Sequence, residues 1–181
     1  QLAADHGSSK AQFNVAHYYF VNFHTPRDIK KAIYYFTLAS NNENSEAQYF
    51  LGLIYFLGID IEKNIDKGIG FLTLSAQKNH QLANYSLGFI YHSGLYAKKD
   101  INKSIDYYKR SSSFNNQYAK TNLGFIYKHG FNNIQKNIEY AIIYFKEAIK
   151  QKNDKVSMYN LAHIYLYEND KMNIDESIEL L

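Results

Sequence analysis

Three strings in this chain are close copies of one another: "AQYFLGLIYFLG" at 47–58, "ANYSLGFIYHSG" at 83–94 and "AKTNLGFIYKHG" at 119–130, each 36 residues from the next. A period of this size marks an array whose repeat is one supersecondary unit. Such a unit cannot bury its apolar face alone and must stack on its neighbours. This constraint comes before any other reading of the sequence.

Aligning on the Leu-Gly pair gives five copies: Val15-Ala16, Leu51-Gly52, Leu87-Gly88, Leu123-Gly124 and Leu161-Ala162, spaced by 36, 36, 36 and 38. Four residues after the first member of each pair stands a tyrosine: Tyr19, Tyr55, Tyr91, Tyr127 and Tyr165. A second, independent anchor follows, an Asp or Asn before Ile: Asp28, Asn64, Asp100, Asn137 and Asn173. Around the first anchor, small and apolar residues recur at helical spacing, as in Ala83, Leu87 and Ile90. That period predicts an amphipathic helix A. It stops at Gly58, Gly94 and Gly130, where a left-handed C-cap costs glycine least.

The second anchor is a natural N-cap for helix B, since its side-chain oxygen accepts from an orphan amide of the first turn. Helix B reads small, large, small: Ala32, Phe36, Ala39 and again Ala141, Phe145, Ala148. It ends at Asn79, Asn115 and Asn153, residues that tolerate the left-handed region. The next position holds Ser8, Asn44, His80, Asn116 or Asp154, four of which are good N-caps for the following helix A.

The predicted fold is all-α, an α/α solenoid in which helix-loop-helix repeats of about 36 residues stack into a right-handed superhelix. The whole chain reads as one array, with repeats at 9–43, 45–79, 81–115, 117–153 and a partial copy at 155–181, and residues 1–7 ending a preceding repeat. Both ends cut through a repeat, so the sequence reads as an excerpt of a longer protein.

Leu-Gly-x-x-Tyr followed by a small residue and an aromatic in helix B resembles the tetratricopeptide superfamily. The 36-residue period, the Tyr-x-x-Gly ending and the "DINKSIDYYKRS" style of helix B resemble its Sel-1-like repeat branch. The first and last copies depart from the pattern, with Asn22 and Glu168 at the capping position. The resemblance implies a non-catalytic adaptor that assembles protein complexes, with helix A lining a concave face.

Opposite the core stripe of helix A runs a second stripe: Phe13/His17/Phe20, Tyr49/Leu53/Phe56, Tyr85/Phe89/His92, Thr121/Phe125/Lys128 and Tyr159/His163/Leu166. A solvated face should be polar, and contiguous exposed apolar surface marks partner sites, where aromatics dominate the energetics. The competing reading is packing between repeats, which weighs most for Tyr49, Tyr85 and Tyr159. Asn14, Asn122 and Asn160 share one register, interrupted by Phe50 and Ser86. Repeated amides there would grip an extended backbone independently of its sequence; a solvated or inter-helix role is the alternative.

The composition argues against several chemistries. There is no cysteine, hence no disulfide framework, thiol nucleophile or Cys-based zinc site. The seven histidines have no carboxylate at ligand spacing, although His92 and His129 fall on adjacent helices A, so no metal or cofactor is expected. No phosphate loop, nucleophile elbow or zinc-protease motif occurs, and the chain reads as not an enzyme. Glu43 and Glu46 read as turn residues used in capping. Net charge is +3 with signs interspersed, and lysines gather at loops, Lys98 to Lys103 and Ile149 to Lys155. An aromatic face with few charges does not suit nucleic acid. No apolar run is long enough to insert in a membrane. Asn84-Tyr85-Ser86 and Asn102-Lys103-Ser104 match the glycosylation tripeptide, but both fall inside helices and occur no more often than chance supplies.

The expected function is therefore a protein–protein interaction scaffold binding a peptide or protein in a groove lined by helix A, with self-association through the cut ends as a second kind of contact. The alternatives are a regulatory repeat region of a larger enzyme, kinase or ubiquitin-ligase related, and a luminal adaptor of ER-associated degradation. The cytoplasm is the favoured compartment and the ER lumen the alternative.

Overall fold

The computed structural model describes residues 7–21, 27–131, 134–150 and 154–168. The expected readings of residues 1–6, Asn22, Asn153, Asn173 and the final helix B lie outside them. The described residues form nine helices in chain order: α1 (Ser9–Val21), α2 (Ile29–Asn41), α3 (Ser45–Leu57), α4 (Ile65–Gln77), α5 (Gln81–Ser93), α6 (Ile101–Ser113), α7 (Gln117–His129), α8 (Ile138–Ile149) and α9 (Lys155–Tyr167). Odd-numbered helices are helix A of each copy and even-numbered ones helix B. A bridge between Phe131 and Ile134 is the one β pairing among the described residues. The chain divides into two compact units, residues 1–87 and 88–181, with the division inside α5.

Local chemistry sets the helix ends largely as the sequence predicts, except that Gly130, expected as a left-handed cap, has positive φ with ψ 157° and leads into an extended loop instead. Asp28, Asn64, Asp100 and Asn137 each accept from the amide three residues on, at 2.9–3.0 Å. Helix A is capped in the same way by Ser8, Asn44, Asn116 and Asp154. His80, the odd residue in that register, is also a cap: its Nδ1 accepts from the Ala83 amide at 3.2 Å. Gly58 closes α3 in the left-handed region (φ 72°, ψ 44°). Asn79 and Asn115 hold positive φ after helix B, and Glu43 takes the same conformation in the first copy.

The Leu-Gly pair and the tyrosine join helix A to helix B. In the first unit, Ala16, Leu51 and Ile54 are fully buried with Ala32, Phe36, Ala39 and Ala47. A Cβ at Gly52 would lie 2.8 Å from Leu72, at Gly88 2.5 Å from the Tyr108 ring, and at Gly124 2.7 Å from the Phe145 ring. The missing side chain is therefore the space that a large residue of helix B fills. Tyr19, Tyr55, Tyr91 and Tyr127 stack on Tyr35, Phe71, Tyr107 and Tyr144, with centroids 5.7–6.2 Å apart and planes within 11°. Each of these tyrosines also accepts, at its carbonyl, the amide of the helix B cap at 2.8–3.2 Å. Lys31, Lys67 and Lys103 each place an ammonium 4.0–5.1 Å from the same ring. One residue thus fixes the angle of the hairpin, its connecting loop and the first turn of helix B.

Candidate functional site

In the first unit the helix A stripe is half-buried. Phe13, His17 and Phe20 all meet Phe50 of α3, with centroids 5.5–5.8 Å apart, and Phe50 stacks on Phe36 at 5.3 Å. Phe50, which interrupts the asparagine register, is thus the residue around which the first copy's stripe packs. Tyr49 stacks on His80 at 4.7 Å, and its hydroxyl, hydrogen-bonded to Ser86, is raised above its ordinary pKa by burial and by Glu46. Glu46 lies in the first turn of α3, not in a turn between helices, and meets His80 Nε2 at 3.1 Å. Leu53, Phe56 and Tyr85 are half-buried, while Asn14 is exposed.

The second unit differs. Phe89 and Phe125, at one register of α5 and α7, are 49% and 39% exposed, and Tyr159 is 61% exposed. Thr121 is engaged in packing: its hydroxyl donates to Asp154 Oδ2 at 2.8 Å and lies 2.9 Å from the buried Ser157 hydroxyl. His92 meets Phe131 edge-on at 5.7 Å, and His129 lies 4.4 Å from Phe125. Phe125 and Phe131 are 6.3 Å apart, and the Lys99 ammonium sits 5.3 Å from the Phe131 ring. His92 is held below its ordinary pKa by burial and then by Lys99.

Beside these rings lies an ion cluster. Lys128 is only 4% exposed. Its ammonium donates to Asn160 Oδ1 at 3.1 Å and lies 3.8 Å from Glu168, which also meets Lys136 at 2.7 Å and His163 Nδ1 at 3.2 Å. Burial pulls the Lys128 pKa down, and Glu168 opposes that pull. Burial alone would raise the Glu168 carboxyl, but Lys136, Lys128 and His163 together hold it low. The Asn160 amide is committed on both sides, since its Nδ2 donates to the Val156 carbonyl at 2.9 Å. Asn122 is half-buried.

In the second unit Lys99 lies over the Phe131 ring, and the buried Lys128, a member of the stripe, shares Glu168 with Lys136. Sequence reasoning missed Phe131 and Glu168. The available signal was the 38-residue spacing. One extra residue lies between Gly130 and Asn137, where Phe131 and Ile134 exchange backbone hydrogen bonds at 3.0 and 2.8 Å. Of the glycosylation tripeptides, Asn84 is fully buried and donates to the His80 carbonyl at 2.9 Å, so folding closes it to a glycan. Among the described residues no group of three or more His, Cys, Asp or Glu could hold a metal, and no helix is long and apolar enough to cross a membrane.

Comparison with known proteins follows the same pattern. The Sel1 repeat family model matches residues 9–44, 45–80, 81–113, 117–153 and 155–181. Among solved structures, the protective antigen c5321 of uropathogenic Escherichia coli, with an SLR fold, superposes on 99% of this chain with a TM-score of 0.91 at 24% identity. This chain spans 38% of that protein's length. A Sel1 repeat protein from Oxalobacter formigenes gives 0.87 at 21% identity, over 97% of this chain and 72% of its own. The immunity protein Pa5087 from Pseudomonas aeruginosa gives 0.57 at 18% identity, over 95% of this chain and 63% of its own. No curated protein matches. These likenesses establish an all-α repeat fold of the solenoid kind. With the family model matched on five successive segments, the chain belongs to the Sel1 repeat family.

Proposed function

We propose that this chain is a non-catalytic scaffold that captures a protein or peptide partner on the helix A face, with Phe89, Phe125 and Tyr159 as apolar anchors. The observation that carries the reading is the exposure of these three rings, at 49, 39 and 61%, on a stripe whose other aromatic members are packed or half-buried. An isolated exposed aromatic needs no explanation, but Phe89 and Phe125 recur at one register of successive helices A, with Tyr159 on the same stripe of the next, and such a surface suits partner contact. Large side chains with few rotatable bonds are the usual carriers of interface energy. The family is generally built of non-catalytic repeats, which supports a scaffold reading.

The test is cross-linking capture from source-cell lysate by the wild type and by the Phe89→Ser/Phe125→Ser variant, with circular dichroism of both. A partner lost by the folded variant supports the reading. Equal capture moves the binding surface elsewhere, and collapse of helicity makes the two rings core.

A further inference from the structure

The second unit places basic groups among its exposed rings, and this bears on what kind of partner the face accepts. Contacts run from Lys99 over Phe131 and through Phe125 to His129, and the next residue back in the chain, Lys128, meets Glu168, which also holds Lys136. Lys128 and Lys136 share the single carboxylate of Glu168, so among the described residues positive charge exceeds negative beside this apolar surface. Lys99 has no carboxylate at ion-pair distance among the described residues. The feature is built into the backbone as well. The extra residue after Gly130 sets Phe131 among these groups, and Gly130 itself (φ 67°, ψ 157°) holds a conformation open almost solely to glycine.

We propose that this face of the second unit binds an acidic peptide segment, with aliphatic or aromatic side chains on Phe89, Phe125 and Phe131 and carboxylates on Lys99 and Lys136. The inference rests on the reading in the preceding subsection and specifies the partner's chemistry. Charge complementarity is the argument for it: a positive patch raises the encounter rate and rejects basic sequences, while the apolar anchors hold the complex. A peptide suits the face better than nucleic acid does. The contact chain contains no arginine, the usual residue for planar phosphate recognition.

The experiment uses the full chain and fluorescence polarisation. The probes are a short labelled peptide of Glu, Leu and Gly, the same peptide with Gln for Glu, and a single-stranded oligothymidine. The expected result is that the Glu peptide binds about tenfold more tightly than the Gln peptide at low salt, a gap of about 1.4 kcal/mol. The gap should shrink as salt screens the charges. Lys99→Gln/Lys136→Gln, two exposed changes that leave helicity intact, should erase it.

If the Glu and Gln peptides bind equally and Phe89→Ser/Phe125→Ser abolishes both, the charge inference fails and the aromatic scaffold reading survives. If that variant binds every probe as the wild type does, the scaffold reading fails and takes the inference with it. Tighter binding of oligothymidine than of the Glu peptide, or no binding of any probe, also overturns the inference.

Discussion

The ring of Tyr49 lies 4.7 Å from that of His80, while His80 Nδ1 caps α5 through the Ala83 amide at 3.2 Å. The same register does the same work in the second unit, where Thr121 donates to Asp154 at 2.8 Å and Asp154 caps α9 through the Ser157 amide at 3.1 Å. The fifth residue of helix A therefore clasps the N-cap of the next helix A at these two places. A residue on the stripe opposite the core has a structural partner one repeat away.

Tyr49→Ala should cost about 1–2 kcal/mol in urea unfolding, below the 3–5 kcal/mol of a fully buried aromatic because Tyr49 is half-buried. Thr121→Val should cost about 1 kcal/mol by removing a hydrogen bond to a charged group. Neither change should reduce partner capture. Unchanged stability in both would remove the clasp as a structural device.

Two glycines within helices should respond with opposite sign. At Gly88 a Cβ would stand 2.5 Å from the ring of the fully buried Tyr108, so Gly88→Ala should destabilise by about 1–3 kcal/mol. At Gly70 nothing lies within 4 Å, and Gly70→Ala should stabilise by about 0.5–1 kcal/mol through helix propensity. Chemical denaturation of the two variants side by side decides this.

The cap of helix B is testable at Asn64, which accepts from the Lys67 amide at 2.9 Å. Asn64→Ala should cost about 1 kcal/mol, and Asn64→Asp should keep the cap and restore most of that loss. If Asn64→Ala and Asn64→Asp melt alike, the side-chain bond contributes nothing.

Acid should weaken the second unit in a defined order. Burial, with Lys99 second, holds His92 below 6.5; burial, with Lys128 second, does the same for His129. The unfolded chain takes up these protons near 6.5 while the folded chain resists them. Stability is therefore full above that value and falls as pH drops through it toward the folded values. Glu168 is held below 4.5 against the opposing effect of its burial, by Lys136, Lys128 and His163. Its contribution persists above 4.5 and is lost as pH falls further. Thermal melts from about pH 8 to about pH 4 should show both stages. In His92→Gln the upper stage should shrink; an unaltered slope there would remove His92 as a source.

The helix boundaries were legible because they depend on neighbours in sequence. A cap oxygen reaches an amide three residues on, and a helical period repeats within a turn or two, so Asp28, Asn64, Asp100 and Asn137 could be assigned without tertiary knowledge. His80 escaped because an imidazole is a poor cap on average. It works here because Tyr49 and Glu46 hold the ring in place. On the stripe, spacing identified which residues share a face but not what covers them. Phe13 and His17 are covered by Phe50, more than thirty positions away, whereas Phe89 is open.

The sequence by itself determined the all-α repeat architecture, its period and the Leu-Gly and tyrosine positions that lock each hairpin, because these follow from local geometry copied five times. Only the tertiary structure decided which stripe residues are packing and which are surface, and which charged groups gather in the second unit. Those outcomes depend on Phe131, placed by a single extra loop residue, and on Glu168, whose carboxylate gathers Lys128, Lys136 and His163 from different parts of the chain. A periodic pattern describes what the copies share, whereas burial and charge at a surface depend on where each copy departs from it.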